Sequence, residues 1–241
     1  MSYSLDGYQG ETVALAPVNE RVAFIRRTYA HLTVAILALV GIEFALLSTG
    51  IGETILKSLF AQNGAWIALM VLFIGGGYAA QSMARSTRSV GLQYAGLALY
   101  VMLQALILLP ILWKASTFFP NQFLIPKAAV VTLMAFGGLT AAVFWSKKDF
   151  SFMGPMLGVL SFVALGVVIC AVLFGFGGGL LGIGLSVAMI ALAAGYIIYD
   201  TSNIMHQYGT NQHVAASLAL FASVALMFFY VLRLFMATSR D

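Results

Sequence analysis

The chain has 241 residues, of which 61% are hydrophobic and only 8% charged, with a formal net charge of +4 and a mean hydropathy of +0.98. A soluble globular domain carries about 25% charged residues, so this composition excludes a water-soluble protein and defines an integral membrane protein. The surplus of basic residues lies at the ends of apolar segments, where it reports topology; it gives no reason to invoke a nucleic-acid partner.

Residues 1–27 form a polar tail containing Asp6, Glu11, Glu20, Arg21, Arg26 and Arg27. It is too long and too acidic for the leading region of a signal peptide, and no cleavage pattern follows the first apolar run, so the first span is expected to stay in the mature protein. A spanning helix takes roughly 20 mainly apolar residues. Seven such segments follow, at 28–49, 64–83, 91–113, 127–146, 153–174, 178–199 and 214–236, and a short tail, 237–241, ends the chain. These are continuous apolar runs without the alternating pattern of a membrane barrel strand. The expected fold is an all-α integral membrane protein of seven transmembrane helices.

Within the first span lies Glu43, flanked by Ile42 and Phe44. An acid at that depth is protonated, paired or facing a wet cavity; Gln104 and His31 are polar candidates to meet it, and a neutral structural hydrogen bond is the plainer reading. After Gly50-Ile-Gly-Glu-Thr54 a short interfacial helix is expected to reach Phe60. Gly75–Gly77 in the second span and Gly137–Gly138 in the fourth read as points of close helix packing, or as a hinge. Arg85 and Arg88 lie between spans two and three, and Lys147 and Lys148 between four and five. With Arg21, Arg26 and Arg27 they put one set of loops, and the N-terminus, in the cytoplasm by the positive-inside rule. The C-terminus then lies on the far side, with Arg233 snorkelling toward it.

The lone cysteine, Cys170, in the fifth span, is expected to be a small buried apolar residue. The junction Gly175–Gly182 contains G-x-G-x-x-G from Gly177, but without the strand and βαβ context that a nucleotide fingerprint needs. The sixth span ends in Gly195-Tyr-Ile-Ile-Tyr-Asp-Thr-Ser-Asn-Ile204, which places Asp200 where the helix meets water. A charge at a helix centre in hydrocarbon costs about 2.5–3.5 kcal/mol, so acids in or beside spans are functional candidates. At a helix C-terminus both the dipole and partial desolvation disfavour its charged form; a fully solvated loop acid is the plainer alternative. Arg85, at the same side of the membrane, is the cation expected to latch it, or else a topology signal alone. His206 and His213 in the next loop lack zinc-site spacing. No metal or resident cofactor is expected, and no constellation points to an enzyme.

Together the segments Arg26-Arg-Thr-Tyr29, Lys147-Lys-Asp-Phe-Ser-Phe-Met-Gly154, Tyr199-Asp-Thr-Ser-Asn-Ile204 and Ala237-Thr-Ser-Arg-Asp241 resemble the Bax inhibitor-1 (transmembrane BAX inhibitor motif) family, and within it the bacterial YccA-like branch. The resemblance covers nearly the whole chain. It implies six helices around a central seventh, a multi-pass protein of the bacterial inner membrane, and a cytoplasmic N-terminus. Calcium-leak members of the family carry two aspartates and an arginine at the end of span two. Asp200 and Arg85 match the first aspartate and the arginine, while Ser223 stands at the second aspartate and Leu226 at the usual Asn. The branch implies a modulator of the membrane ATP-dependent protease FtsH, with that protease and the lipid bilayer as partners. The alternative is a pH-sensitive calcium leak controlled by Asp200 and Arg85, calcium being cargo.

Overall fold

The computed structural model describes residues 12–61, 65–86, 89–174 and 178–239. Asp6, Glu11, Arg88, Gly175, Phe176, Gly177, Arg240 and Asp241 lie outside the described residues. Eight helices make up the described chain: α1 Val18–Ser48, α2 Ile51–Phe60, α3 Ala65–Ala84, α4 Val90–Phe118, α5 Leu124–Ser146, α6 Met153–Phe174, α7 Gly179–His206 and α8 His213–Thr238. Six of them, α1 and α4 to α8, contain described stretches long and apolar enough to cross a membrane. The described apolar stretch of the other expected span, in α3, is the shorter Ala68–Ala84. The fold is therefore all-helical, with six helices meeting the spanning criterion where the sequence predicts seven. The short helix after Gly50 forms as expected; Gly50 itself takes φ +73° to turn the chain back.

α8 is the centre of the bundle. It contacts α1, α3, α4, α5 and α7 and buries Val214, Leu218, Phe221, Ala225, Met227 and Leu232. α4, its most buried neighbour, carries Pro110, which removes one helix hydrogen-bond donor. α6 stands outside, packed on α7, with Phe162, Val163 and Val159 exposed. Such outward apolar side chains have no cost against lipid tails, and helix association in that solvent rests on close packing instead.

Glycines make that packing at the α3–α4 contact. A Cβ at Gly96 would meet the Ala80 carbonyl oxygen at 2.5 Å, and one at Gly76 would meet Leu103 at 2.7 Å. Around Gly137 and Gly138 there is open space, so these two are not packing points. Cys170 is exposed on the outer face, contrary to the expected burial, because α6 turns so little of its surface to the bundle.

Two helices extend past their apolar runs. α1 starts at Val18, ten residues before the expected span, and residues 12–16 fold back on the α7–α8 loop. There the Val13 N–H donates to the Tyr208 carbonyl at 2.9 Å, and Val13 is fully buried. α7 runs to His206 rather than stopping near residue 199. Thr201, Ser202 and Asn203, which read as the end of a span, are buried inside the protein. Polar residues end a span only where lipid or water surrounds them, and here α8, α5 and the 147–152 loop do.

Candidate functional site

α7 places Tyr196, Tyr199, Asp200 and Asn203 at i, i+3, i+4 and i+7, one helical face, and that face lines a cavity of about 710 Å³. α3 contributes Phe73 and Gln81, the residue following it Arg85, α4 Tyr100 and Gln104, α6 Ser161 and α8 Ser223 and Tyr230. The remaining wall is largely apolar, with Met70, Ile107, Leu165, Leu192 and Leu226 among its residues.

Asp200 is the acid of this cavity, 6% exposed. It does not stand at a helix end in water, as the sequence suggests, but a turn and a half inside α7. Its partner is Ser223, whose hydroxyl donates to Oδ2 at 2.5 Å, the length of a charge-assisted O–H···O⁻ bond. The Ser223 hydroxyl also lies 3.2 Å from the Ala219 carbonyl. With its single proton a serine serves both states of the acid. It donates to an ionised Asp200; when Asp200 carries the proton, Asp200 donates to Oγ and Ser223 turns to Ala219. A serine at this place therefore gives a single titratable group with a partner for either form, where two carboxylates would share one proton.

Arg85, the residue after the end of α3, lines the same cavity. It makes no ion pair with Asp200: among the described residues the ion pair within 4 Å is Lys57–Glu53, at 2.8 Å. The latch expected from sequence is thus a longer-range attraction across shared space. Further up the cavity the Ser161 and Tyr196 hydroxyls meet at 2.8 Å.

At this end of the bundle the 147–152 loop is tied to α7 by an acid, Asp149, which the sequence places in the Lys147–Gly154 segment without a role. Asp149 accepts the Ser151 N–H at 2.8 Å, lies 3.4 Å from both the Ser202 hydroxyl and the Gln207 amide, and so fixes the 147–152 loop. The Phe150 N–H donates to Ser202 Oγ at 2.7 Å. Hydrogen bonds from Ser151, and then the charge of His206, hold the Asp149 carboxyl below its ordinary range. The run of three polar residues after Asp200 was the signal for this docking, since a solvated loop has no use for a buried Ser202.

Glu43 does not join the site. It is 5% exposed, and neither carboxyl oxygen has a hydrogen-bond partner. Gln104 faces the cavity. His31 donates from Nδ1 to the Arg27 carbonyl at 2.6 Å, so Nε2 accepts the Tyr94 hydroxyl at 2.9 Å. Neither is its partner. The two loop histidines are also separated: His213 lies beside His31, the rings tilted by 56° with centres 5.0 Å apart, while His206 bonds the Ser202 carbonyl of its own helix. Among the described residues no group of three His, Cys, Asp or Glu side chains is placed to hold a metal ion. Arg233 covers the Tyr230 ring at 5.9 Å.

A centrally buried helix, lipid-facing apolar walls and one acid deep in an internal cavity define a multi-pass helical membrane protein with a buried titratable site. Residues 21–240 match the family model described as "Inhibitor of apoptosis-promoting Bax1", and the chain belongs to that family, the Bax inhibitor-1 family. It is 27% identical to Protein lifeguard 4 of Mus musculus over 96% of this chain and 92% of that protein. To Bax inhibitor 1 of Schizosaccharomyces pombe it is 29% identical, over 96% of this chain and 83% of the relative. A more local match, 35% identical, joins 45% of the chain to 43% of a BI1-like protein of Arabidopsis thaliana.

Proposed function

We propose that this chain is a non-enzymatic protein that crosses the membrane seven times and lets cations, calcium among them, leak through the Asp200 cavity under the control of Asp200 and Arg85. The observation that carries the reading is a buried acid with a switchable hydroxyl partner, set in a cavity of about 710 Å³ that also holds one guanidinium. Counting α3 as the seventh span is supported by its 20 residues, about 30 Å of helix and so the thickness of the hydrocarbon core, and by its packing along α4. Seven crossings leave the N-terminus in the cytoplasm, the side on which Arg21, Arg26, Arg27, Lys147 and Lys148 gather; a bacterial inner membrane follows from the resemblance to the bacterial branch. Ionised Asp200 and Arg85 attract each other across the cavity and close it. Protonation removes that attraction, so the path is freer in acid.

Calcium efflux from proteoliposomes tests this directly. Wild-type protein is expected to leak more at mildly acidic than at mildly alkaline pH, and Asp200→Asn to leak at the acidic level throughout. Efflux equal to that of empty liposomes at every pH rejects the leak.

A second reading, modulation of FtsH, is supported by the same branch resemblance and by one feature of the fold. Residues 12–16, the 147–152 loop and the α7–α8 loop are tied into a single ordered face at the end of α7, a surface on which a membrane protease can dock. Co-purification from detergent-solubilised membranes retains the protease if this holds; its consistent absence with the bundle intact rejects the idea.

A further inference from the structure

Beside the Asp200 cavity, and sharing Arg85, Tyr199, Asn203 and Tyr208 with it, lies a second pocket of about 390 Å³ whose character is different. Its lining is polar throughout: Arg85, Ser151, Asn203, Gln207 and Gln212, with the tyrosines 199 and 208. The one formal charge in that lining is a guanidinium with no carboxylate within 4 Å among the described residues. Around it stand amides and hydroxyls able to donate further hydrogen bonds. A fork of N–H donors ringed by neutral donors is the arrangement that recognises a planar carboxylate or a phosphate.

We infer that this pocket binds a small anion, a carboxylate or a phosphate group, on Arg85, and that the anion draws Arg85 away from Asp200. The binding site stands on the pocket alone; its effect on the leak rests on the function proposed above. The titratable and charged groups lining this pocket are Arg85, just past α3, Tyr199 from α7 and Tyr208 from the α7–α8 loop; Asp200 from α7 and Tyr100 from α4 share the adjoining cavity with Arg85, and Asp149 and His206 belong to the contact of the 147–152 loop with α7. Of the acids, Asp149 is engaged by Ser151, Ser202 and Gln207, which leaves Asp200 as the charge competing for the guanidinium. The anion and the proton on Asp200 therefore favour each other. By linkage, whatever factor protonation of Asp200 adds to anion affinity, the anion adds to proton affinity. Such a pocket makes the leak answer to a soluble anion or to an anionic lipid headgroup as well as to pH.

The test is calorimetric titration of the full chain in nanodiscs of zwitterionic phosphatidylcholine with inorganic phosphate and with succinate. Saturable binding of either is expected, tighter at acidic pH. Arg85→Gln is expected to weaken it at least tenfold, Gln207→Ala, at an exposed position, severalfold, and Asp200→Asn to tighten it and flatten its pH dependence. Repeating the titration in nanodiscs containing phosphatidylglycerol separates the sources. Competition by the lipid supports a headgroup ligand, and unchanged binding a soluble one. If Arg85→Gln and Gln207→Ala both bind as wild type does, or if neither phosphate nor succinate binds and added phosphatidylglycerol gives no Arg85-dependent retention of lipid, the inference is overturned. Binding without any calcium efflux rejects the leak and keeps the pocket, whereas efflux without binding rejects only the pocket.

Discussion

Asp200 and Glu43 are both carboxylic acids in apolar helices, both about as buried, and the protein treats them in opposite ways. Around Asp200 the bundle supplies a hydroxyl at 2.5 Å, a guanidinium across the cavity and a polar vestibule. Around Glu43 it supplies no hydrogen bond at all. The contrast teaches that burial alone does not make an acid functional. Only the first has a hydrogen-bond partner for each protonation state and a place in the lining of an internal cavity.

Changes to the scaffold that holds Arg85 opposite Asp200 are expected to act most strongly. A side chain at Gly96 runs into the Ala80 carbonyl, so Gly96→Leu forces α3 off α4 at a cost of about 3 kcal/mol or more, measured as lost thermal stability in detergent. Next, Ser223→Ala strips Asp200 of its partner and costs about 1–3 kcal/mol. The counterpart runs the other way. Glu43→Met, of similar shape and with no polar atom to satisfy, raises stability by about 1 kcal/mol, because leaving a buried polar group unpaired is itself costly. If both substitutions shift the melting temperature in the same direction, the two acids are not in contrast.

The smallest effect is at the loop. The Asp149 carboxyl is held below its ordinary range in the folded protein, so its contribution is present above the unfolded value and disappears as pH falls through the lower folded one. Hydrogen exchange of the 147–152 amides is therefore expected to quicken only in strong acid, and Asp149→Asn to bring that quickening to neutral pH. No change in exchange on substitution would show that Ser202 alone holds the loop.

Much of this was legible in the residues. The apolar runs gave the helices, and glycine with acid and threonine after Gly50 gave α2. Asp200, Arg85 and Ser223 were identifiable as one group, the last by resemblance, and the fold brings all three to one cavity. What hydropathy could not supply was everything that depends on a neighbour. Thr201, Ser202 and Asn203 read as solvated because their polarity was visible and the loop that covers them was not. The i, i+3, i+4, i+7 pattern from Tyr196 to Asn203 was present in the sequence and marks the polar face of α7. Nothing in it, however, tells that Glu43 is left unbonded, or that His213 meets His31 rather than His206, since both outcomes are set by which helix packs beside α1.

One experiment sets the two acids side by side: calcium efflux from proteoliposomes of wild type, Asp200→Asn and Glu43→Gln at mildly acidic and mildly alkaline pH. The pH dependence is expected to vanish in Asp200→Asn and to survive in Glu43→Gln. Efflux that loses its pH dependence in Glu43→Gln while Asp200→Asn behaves as wild type would contradict that expectation.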